Sequence, residues 1–410
     1  MKIRFVASMS RYAGGTTTYT DNLATALRGL GEEVVIQSDR NDLTEFGRRP
    51  YVEPVWTRDL RYPLQNLRAA RRGAKEEVIH VHHEFYLFGG PSTALAFPAL
   101  LAGLRLLDRP VVTTLHGVLS RATAKDSRVV HGSALPPSLS RAVVTRLQRQ
   151  IVIGSDAVVV HDDFFRDVLV NECGAPRDRI HVIPHGVRAD LTRSDRTEAR
   201  DRLGIPATTI LLLYFGYLAR YKGLETLLDA FNLVAPDRPK VELAIAGGPP
   251  ARNTEDGEAY RRSLEERIAP ALRDRVRFTG HVPEGQVADW FSAADLVALA
   301  HAVPLAASGV LALAQGYGAA LVAPAIPPFL RSVHRPEALY EAGSSTELSQ
   351  KIGRLVDDPA LLRSHGAASR DDGRLASWPS VARQHRELYR ALLGARGRRG
   401  KAASAASAQS

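Results

Sequence analysis

The feature that most constrains this chain is an alternation, run twice, of short β-branched stretches with segments of helical periodicity. The first series reads IRFVAS (3–8), EVVIQS (33–38), EVIHVHH (77–83), VVTTLH (111–116), AVVVHD (157–162) and HVIPHG (181–186). Between the first two, Leu23, Leu27 and Leu30 recur at helical spacing and Gly31 stops the pattern. Strands joined by helices in this way build a mostly parallel sheet. Around Asp190 to Ile205 the chain turns polar, and the pattern then restarts. TILLLYFG (209–216), VELAIAGG (241–248), VRFTGHV (276–282), LVALA (296–300) and ALVAPA (320–325) alternate with helices expected from Lys222, from Gly257, near Val287 and from Ser308.

The expected fold class is therefore α/β, with two Rossmann-like, doubly wound domains at residues 1–195 and 205–375. A further helix is expected at 378–393, and the basic tail 394–410 has too little apolar content to pack. Two such sheets in tandem leave a cleft between the carboxyl ends of their strands, the place where open α/β sheets bind nucleotide-type ligands. The architecture does not name the reaction.

Composition enters as a set of exclusions. The 410 residues, 45% hydrophobic, suffice for two sizeable cores. A single cysteine, Cys173, excludes a disulfide scaffold and a Cys-rich zinc site, and it fits a reducing compartment. Lys and Arg number 54 against 44 Asp and Glu, a net +10 that favours phosphorylated or anionic partners. No zinc-finger spacing or RNA-reading aromatic motif accompanies it, so no nucleic-acid partner is expected. After Lys2 and Arg4 only FVASMS precedes Arg11, too short for the apolar part of a signal peptide. The uncharged stretches 85–104 and 296–330 are interrupted by Gly89, Gly90, Pro91 and Pro98, and by Pro304, Pro324, Pro327 and Pro328. Neither offers a continuous spanning helix, and the expected location is cytoplasmic. Residues 58–75 carry six basic residues and one acid, with Leu60, Leu64 and Leu67 at near-helical spacing. That is either a solvated helix face or a contact with anionic membrane at its inner face, or with a lipid-linked or phosphorylated acceptor.

Five constellations lie where such folds put chemistry. Gly14-Gly15 follows the first strand and opens a helix, which lets a ligand approach the backbone. Gly216 ends a strongly apolar strand, and Arg220 and Lys222 follow as cations able to neutralise a diphosphate. Ser308 is a natural N-cap, and the helix start at Gly309, Val310 and Leu311 offers amides to a phosphate. His116, just past a buried strand, is placed to hydrogen-bond a polar substrate. His80 and His82 share one strand face, which allows a metal pair, but no third ligand can be assigned. Each has a plain structural alternative: a strand-to-helix turn, a solvated basic loop, a capped core helix, a core histidine.

At these motifs the sequence resembles retaining glycosyltransferase family 4, of the GT-B fold. The resemblance runs from Ile3 to about Leu393. AGGTTTYTDNLATALRGLGEEVVI is similar to the family's acceptor-domain opening, FGYLARYKGLETLLDAF to its donor-diphosphate loop, and LAIAGG with VRFTGHVPEGQVADWFSAADLVALAH to its donor-domain middle. SWPSVARQHRELYRALL resembles the final helix that crosses back to the first domain. The resemblance implies metal-independent transfer of a sugar from a nucleotide diphosphate sugar, with retention, to a saccharide, a lipid-linked saccharide or a small metabolite. No cofactor is implied. Carried over singly, Gly15 admits the diphosphate, Lys222 holds phosphate, and His116 contacts the transferring sugar. Ser308, Gly309, Val310 and Leu311 contact diphosphate and ribose.

The chain departs from the family pattern twice. Tyr217 stands where the diphosphate loop usually has Arg. The family's two Glu, with seven residues between them, fall at Ala306 and Ala314, and no Asp or Glu occurs between Asp295 and Glu337. The run SGVLALAQGYG resembles a branch that carries SGVL here. The missing carboxylates motivate a second reading, a catalytically silent GT-B protein that partners an active enzyme.

Overall fold

Each of the two series folds into its own all-parallel sheet. The computed structural model describes every residue except 11–13, 42, 44, 75–76, 127–136, 251–253 and 408–410. The first sheet takes β1 (Lys2–Val6), β2 (Glu33–Asp39), β3 (Val52–Trp56), β4 (Glu77–His83), β5 (Val111–Leu115), β6 (Ala157–Val160) and β7 (Ile180–Val182) in the order β3-β2-β1-β4-β5-β6-β7. The second takes β8 (Ile210–Phe215), β9 (Val241–Ala246), β10 (Val276–Gly280), β11 (Leu296–Ala298), β12 (Leu321–Pro324) and β13 (Leu339–Tyr340) in the order β10-β9-β8-β11-β12-β13. Strand order reverses between β1 and β4, and between β8 and β11, so each sheet has its ligand crevice at those carboxyl ends.

The period-2 alternation of the strands assigns side chains to layers. In β1, Phe5 packs into one core layer and Val6 into the other. In β8, Leu212 and Tyr214 face one side while Leu211 and Leu213 face the other. Two strands lie outside the runs read from sequence. β3 contains Pro54, which cannot donate to a ladder and is tolerated because β3 is an edge strand. β13 is two residues long, below any periodicity.

The last helix, Trp378–Ser407, belongs to the first domain's core rather than the second's: Trp378, Val381, Ala382 and Tyr389 lie buried with Phe5, Tyr19 and Leu23. It continues through 394–407, the stretch that composition leaves without structure. The chain re-enters the first domain at a short parallel contact in which the Trp378 amide donates to the Val187 carbonyl at 3.1 Å. A second contact crosses the cleft: Gly117 bridges Ala306, and the Val118 amide donates to the Leu305 carbonyl at 3.1 Å.

Candidate active site

The second domain's half of the candidate site is built at the carboxyl ends of β8 and β11. Gly216 leaves β8 at φ 123°, with Val310 directly over it. Residues Arg220–Lys222 form a single tight turn, and Gly223, at φ 66°, starts the helix Leu224–Val234 pressed against the Ala300 carbonyl, where no side chain fits. This turn carries Lys222 Nζ to 2.9 Å from His301 Nε2, on the loop after β11. Burial pushes the Lys222 ammonium down from 10.5 to about 8, and no carboxylate among the described residues pairs with it.

The helix Gly309–Tyr317 is pinned at both ends. Ser308 Oγ accepts from the Leu311 amide at 3.2 Å, which leaves the Gly309 and Val310 amides free at the positive end. At the other end Arg193 donates to the Tyr317 and Gly318 carbonyls at 2.6 and 2.7 Å. Val310 and Leu311 bury their side chains, so they can offer a ligand only backbone, and the Leu311 amide is already taken by the cap. Gly309 faces open space.

Lys222 thus meets His301, Gly216 lies under Val310 of the Ser308-capped helix, and the Gly117–Ala306 bridge ties the loop that carries His116 to the loop before that helix. Arg220 is turned elsewhere: its guanidinium lies over the Tyr260 ring at 4.7 Å. Gly15 begins the helix Gly15–Gly29 facing open space, while Gly14 holds the left-handed φ of 51°. A Cβ on Gly14 would meet the Tyr217 ring of the other domain at 3.0 Å, so Gly14 lets the two domains approach at Tyr217.

His116 does not stand alone. Its ring packs edge-on to Tyr19 at 4.7 Å and lies 5.5 Å from His161, and its Nε2 is 3.1 Å from His82 Nδ1. Tyr19 in turn contacts His161, His185 and Trp378 at 5.1, 5.2 and 5.0 Å. Burial drives every one of these imidazoles below its usual pKa, His116 well below and His161 to about 3, so His116 acts as a neutral hydrogen-bonding group. The metal pair open to His80 and His82 does not form: His80 spends both nitrogens, on Tyr389 at 2.6 Å and on Thr114 at 2.7 Å. No group of three or more metal-ligating side chains occurs among the described residues.

A cavity of about 210 Å³ opens between the domains beside the helix Gly309–Tyr317, lined by His161, Asp162, His185, Ser308, Gln315 and Asp372 among others. Sequence reasoning misses His161, His185 and His301. The signal was present, since each stands just past a strand's carboxyl end, as His116 does.

Residues 13–191 match the family model described as Glycosyltransferase Family 4, and residues 209–358 match that of Glycosyl transferases group 1. The D-inositol 3-phosphate glycosyltransferase of Nocardioides sp. is 28% identical over 335 residues, covering 78% of this chain and 69% of that protein. That of Kineococcus radiotolerans is 26% identical, covering 92% and 90%. Among solved structures, Anabaena HepE in complex with UDP-glucose superposes with a TM-score of 0.75 at 18% identity, covering 96% of this chain and 100% of that one. Sucrose-phosphate synthase from Thermosynechococcus elongatus superposes with 0.73 at 22% identity and the same coverage. Two parallel Rossmann-like sheets facing across a cleft give this chain the GT-B fold of a glycosyltransferase, its first half similar to the Family 4 model and its second half to the group 1 model.

Proposed function

We propose that the protein moves a sugar from a nucleotide diphosphate sugar to an acceptor hydroxyl, with retention at the anomeric carbon and without a metal ion. The observation that carries this reading is Lys222: a half-buried cation with no carboxylate partner among the described residues, on the loop that leaves β8 through Gly216, over which the helix start with free amides packs through Val310. As the bond from the anomeric carbon to the diphosphate breaks, negative charge grows on the leaving phosphate, and Lys222 with the Gly309 and Val310 amides faces it. The acceptor oxygen bonds to the anomeric carbon and its proton leaves to a phosphate oxygen. Neutral His116 hydrogen-bonds a hydroxyl of the transferring sugar.

Ala306 and Ala314 leave the sugar and ribose positions without a carboxylate, so this donor pocket is more apolar than the family's usual one. The names of the relatives make a cyclitol phosphate the first acceptor to assay, and UDP-glucose is the first donor. Saccharides, lipid-linked saccharides and small metabolites complete the panel.

We also assign the basic face near Tyr62–Ala70 to anionic lipid. Leu60 and Leu64 are 61% and 50% exposed beside exposed Arg68, Arg71 and Arg72. Leu67 instead packs against Gly103, and Arg58 turns inward to buried Asp39. No helix among the described residues is long and apolar enough to cross a membrane.

The test is transfer from the donor panel in excess EDTA, with the product's anomeric configuration read by NMR. Persistent transfer with retained configuration is expected. Activity abolished by chelator and restored by magnesium, or an inverted product, overturns the reading.

A further inference from the structure

We propose that His82 is a positioning residue that locks His116 in the tautomer protonated on Nδ1, so that His116 meets its substrate as a hydrogen-bond donor. The proposal rests on the reading of His116 as the sugar-facing imidazole.

His82 Nδ1 and His116 Nε2 lie 3.1 Å apart, and His82 is fully buried on β4. Burial keeps both rings neutral, so each carries one N–H and only one of the two facing nitrogens donates. Two independent observations say which.

The first is Thr20. Its hydroxyl donates to the Thr16 carbonyl at 2.8 Å, and its oxygen lies 3.2 Å from His82 Nδ1. With its proton committed, Thr20 Oγ1 can only accept, which requires the proton on His82 Nδ1. The second is the far side of the ring. His82 Nε2 is buried with no partner. A bare lone pair there costs less than an orphaned N–H, because buried unpaired donors are the rarer and dearer case.

The same core repeats the arrangement. His161 and His385 each donate through Nδ1 to a carbonyl, of Ile183 and Val381, both at 3.0 Å, and each leaves a bare, buried Nε2 unpartnered. His82 therefore shares its Nδ1–H between Thr20 Oγ1 and His116 Nε2. His116 Nε2 accepts, and its proton must sit on Nδ1. His116 is only half-buried, which leaves that N–H available to a sugar or phosphate oxygen and makes its Nε2 unavailable as a base. The register of the sheet fixes the pair: His82 is opposite Thr114 and His83 opposite Leu115, so His116 continues beyond β5 alongside β4.

The experiment labels the histidines of the full chain with ¹⁵N and assigns His116 by its loss in His116→Gln. Wild type is expected to show His116 protonated on Nδ1. In His82→Phe, which keeps ring contacts with Phe5 and Tyr19, the tautomers are expected to mix. Turnover falls roughly three- to tenfold, the worth of one neutral hydrogen bond, with donor KM little changed. His82→Asn puts an amide N–H near the position of Nδ1–H and is expected to restore both the tautomer and turnover. His116 protonated on Nε2 in wild type overturns the proposal. So does an unchanged spectrum in His82→Phe, or a failure of His82→Asn to restore it. If no donor supports transfer, the function reading fails while the NMR arm still decides the tautomer.

Discussion

Replacing Lys222 with Met separates stability from catalysis. Burial lowers the Lys222 ammonium from 10.5 to about 8, with no carboxylate among the described residues to offset it. At about 1.4 kcal/mol per pH unit, the empty protein carries a penalty of up to about 3 kcal/mol, an upper bound because the group keeps some solvent contact. The unfolded chain holds this proton up to 10.5, whereas the folded chain releases it from about 8. Between those values the unfolded state binds more protons, so wild-type stability rises with pH there, and below 8 the penalty is present in full. Lys222→Met removes the charge and keeps the aliphatic stem. At pH 7 the variant should be more stable than wild type by up to about 3 kcal/mol, with the gap closing as pH climbs toward the unfolded value. The same change should lower turnover by roughly 10²- to 10³-fold, the cost of losing one donor aimed at developing charge. UDP should raise the melting temperature of wild type and barely move that of the variant. Urea unfolding at pH 7 and 9.5, thermal shifts with UDP, and transfer assays read all three. A variant less stable than wild type at pH 7, with an undiminished UDP shift, would refute the argument.

Three further outcomes are expected. Ala306→Glu should lower transfer with the native donor, because it inserts an unpaired carboxylate at the Gly117 bridge beside His116; higher activity would mean the pocket still expects an acid. Acid should destabilise the first domain: His83, held neutral by burial at about 3 against 6.5 unfolded, contributes stability above 6.5 that is lost as pH falls toward 3, about 2 kcal/mol of it by pH 5. His83→Phe, placed among Phe85 and Phe97, should therefore flatten the difference between urea midpoints at pH 7.5 and 5, and an unchanged difference counts against it. Sedimentation with anionic vesicles at low salt should exceed that with neutral vesicles and fall on mutating Arg68, Arg71 and Arg72 to Gln; equal binding to both vesicle types would remove the lipid assignment.

What the sequence determined by itself is local. Strand β4 was read at its true limits, 77–83, because seven consecutive buried positions show as an unbroken run, and the start of the helix Gly309–Tyr317 was legible because Ser308 is a capping residue. The polar stretch 190–205 separates the two sheets for the same reason: periodicity and capping act over a few residues, and the chain writes them in order. Strand β3 escaped because Pro54 argues against a strand, and only its edge place in the sheet makes the proline harmless. Tertiary structure decided everything that depends on strand order. His116 reads as a lone histidine in the chain, yet β4, the end of β6 and the helix Gly15–Gly29 surround it with His82, His161 and Tyr19, and the final helix sets Trp378 against Tyr19. Lys222 reads as one cation of a basic loop. Its neighbour His301 lies 79 residues away, and the pairing of β8 with β11 brings the two together. Contacts of that span are set by which strands neighbour in space, a choice made by burial of the whole sheet and carried by no local signal.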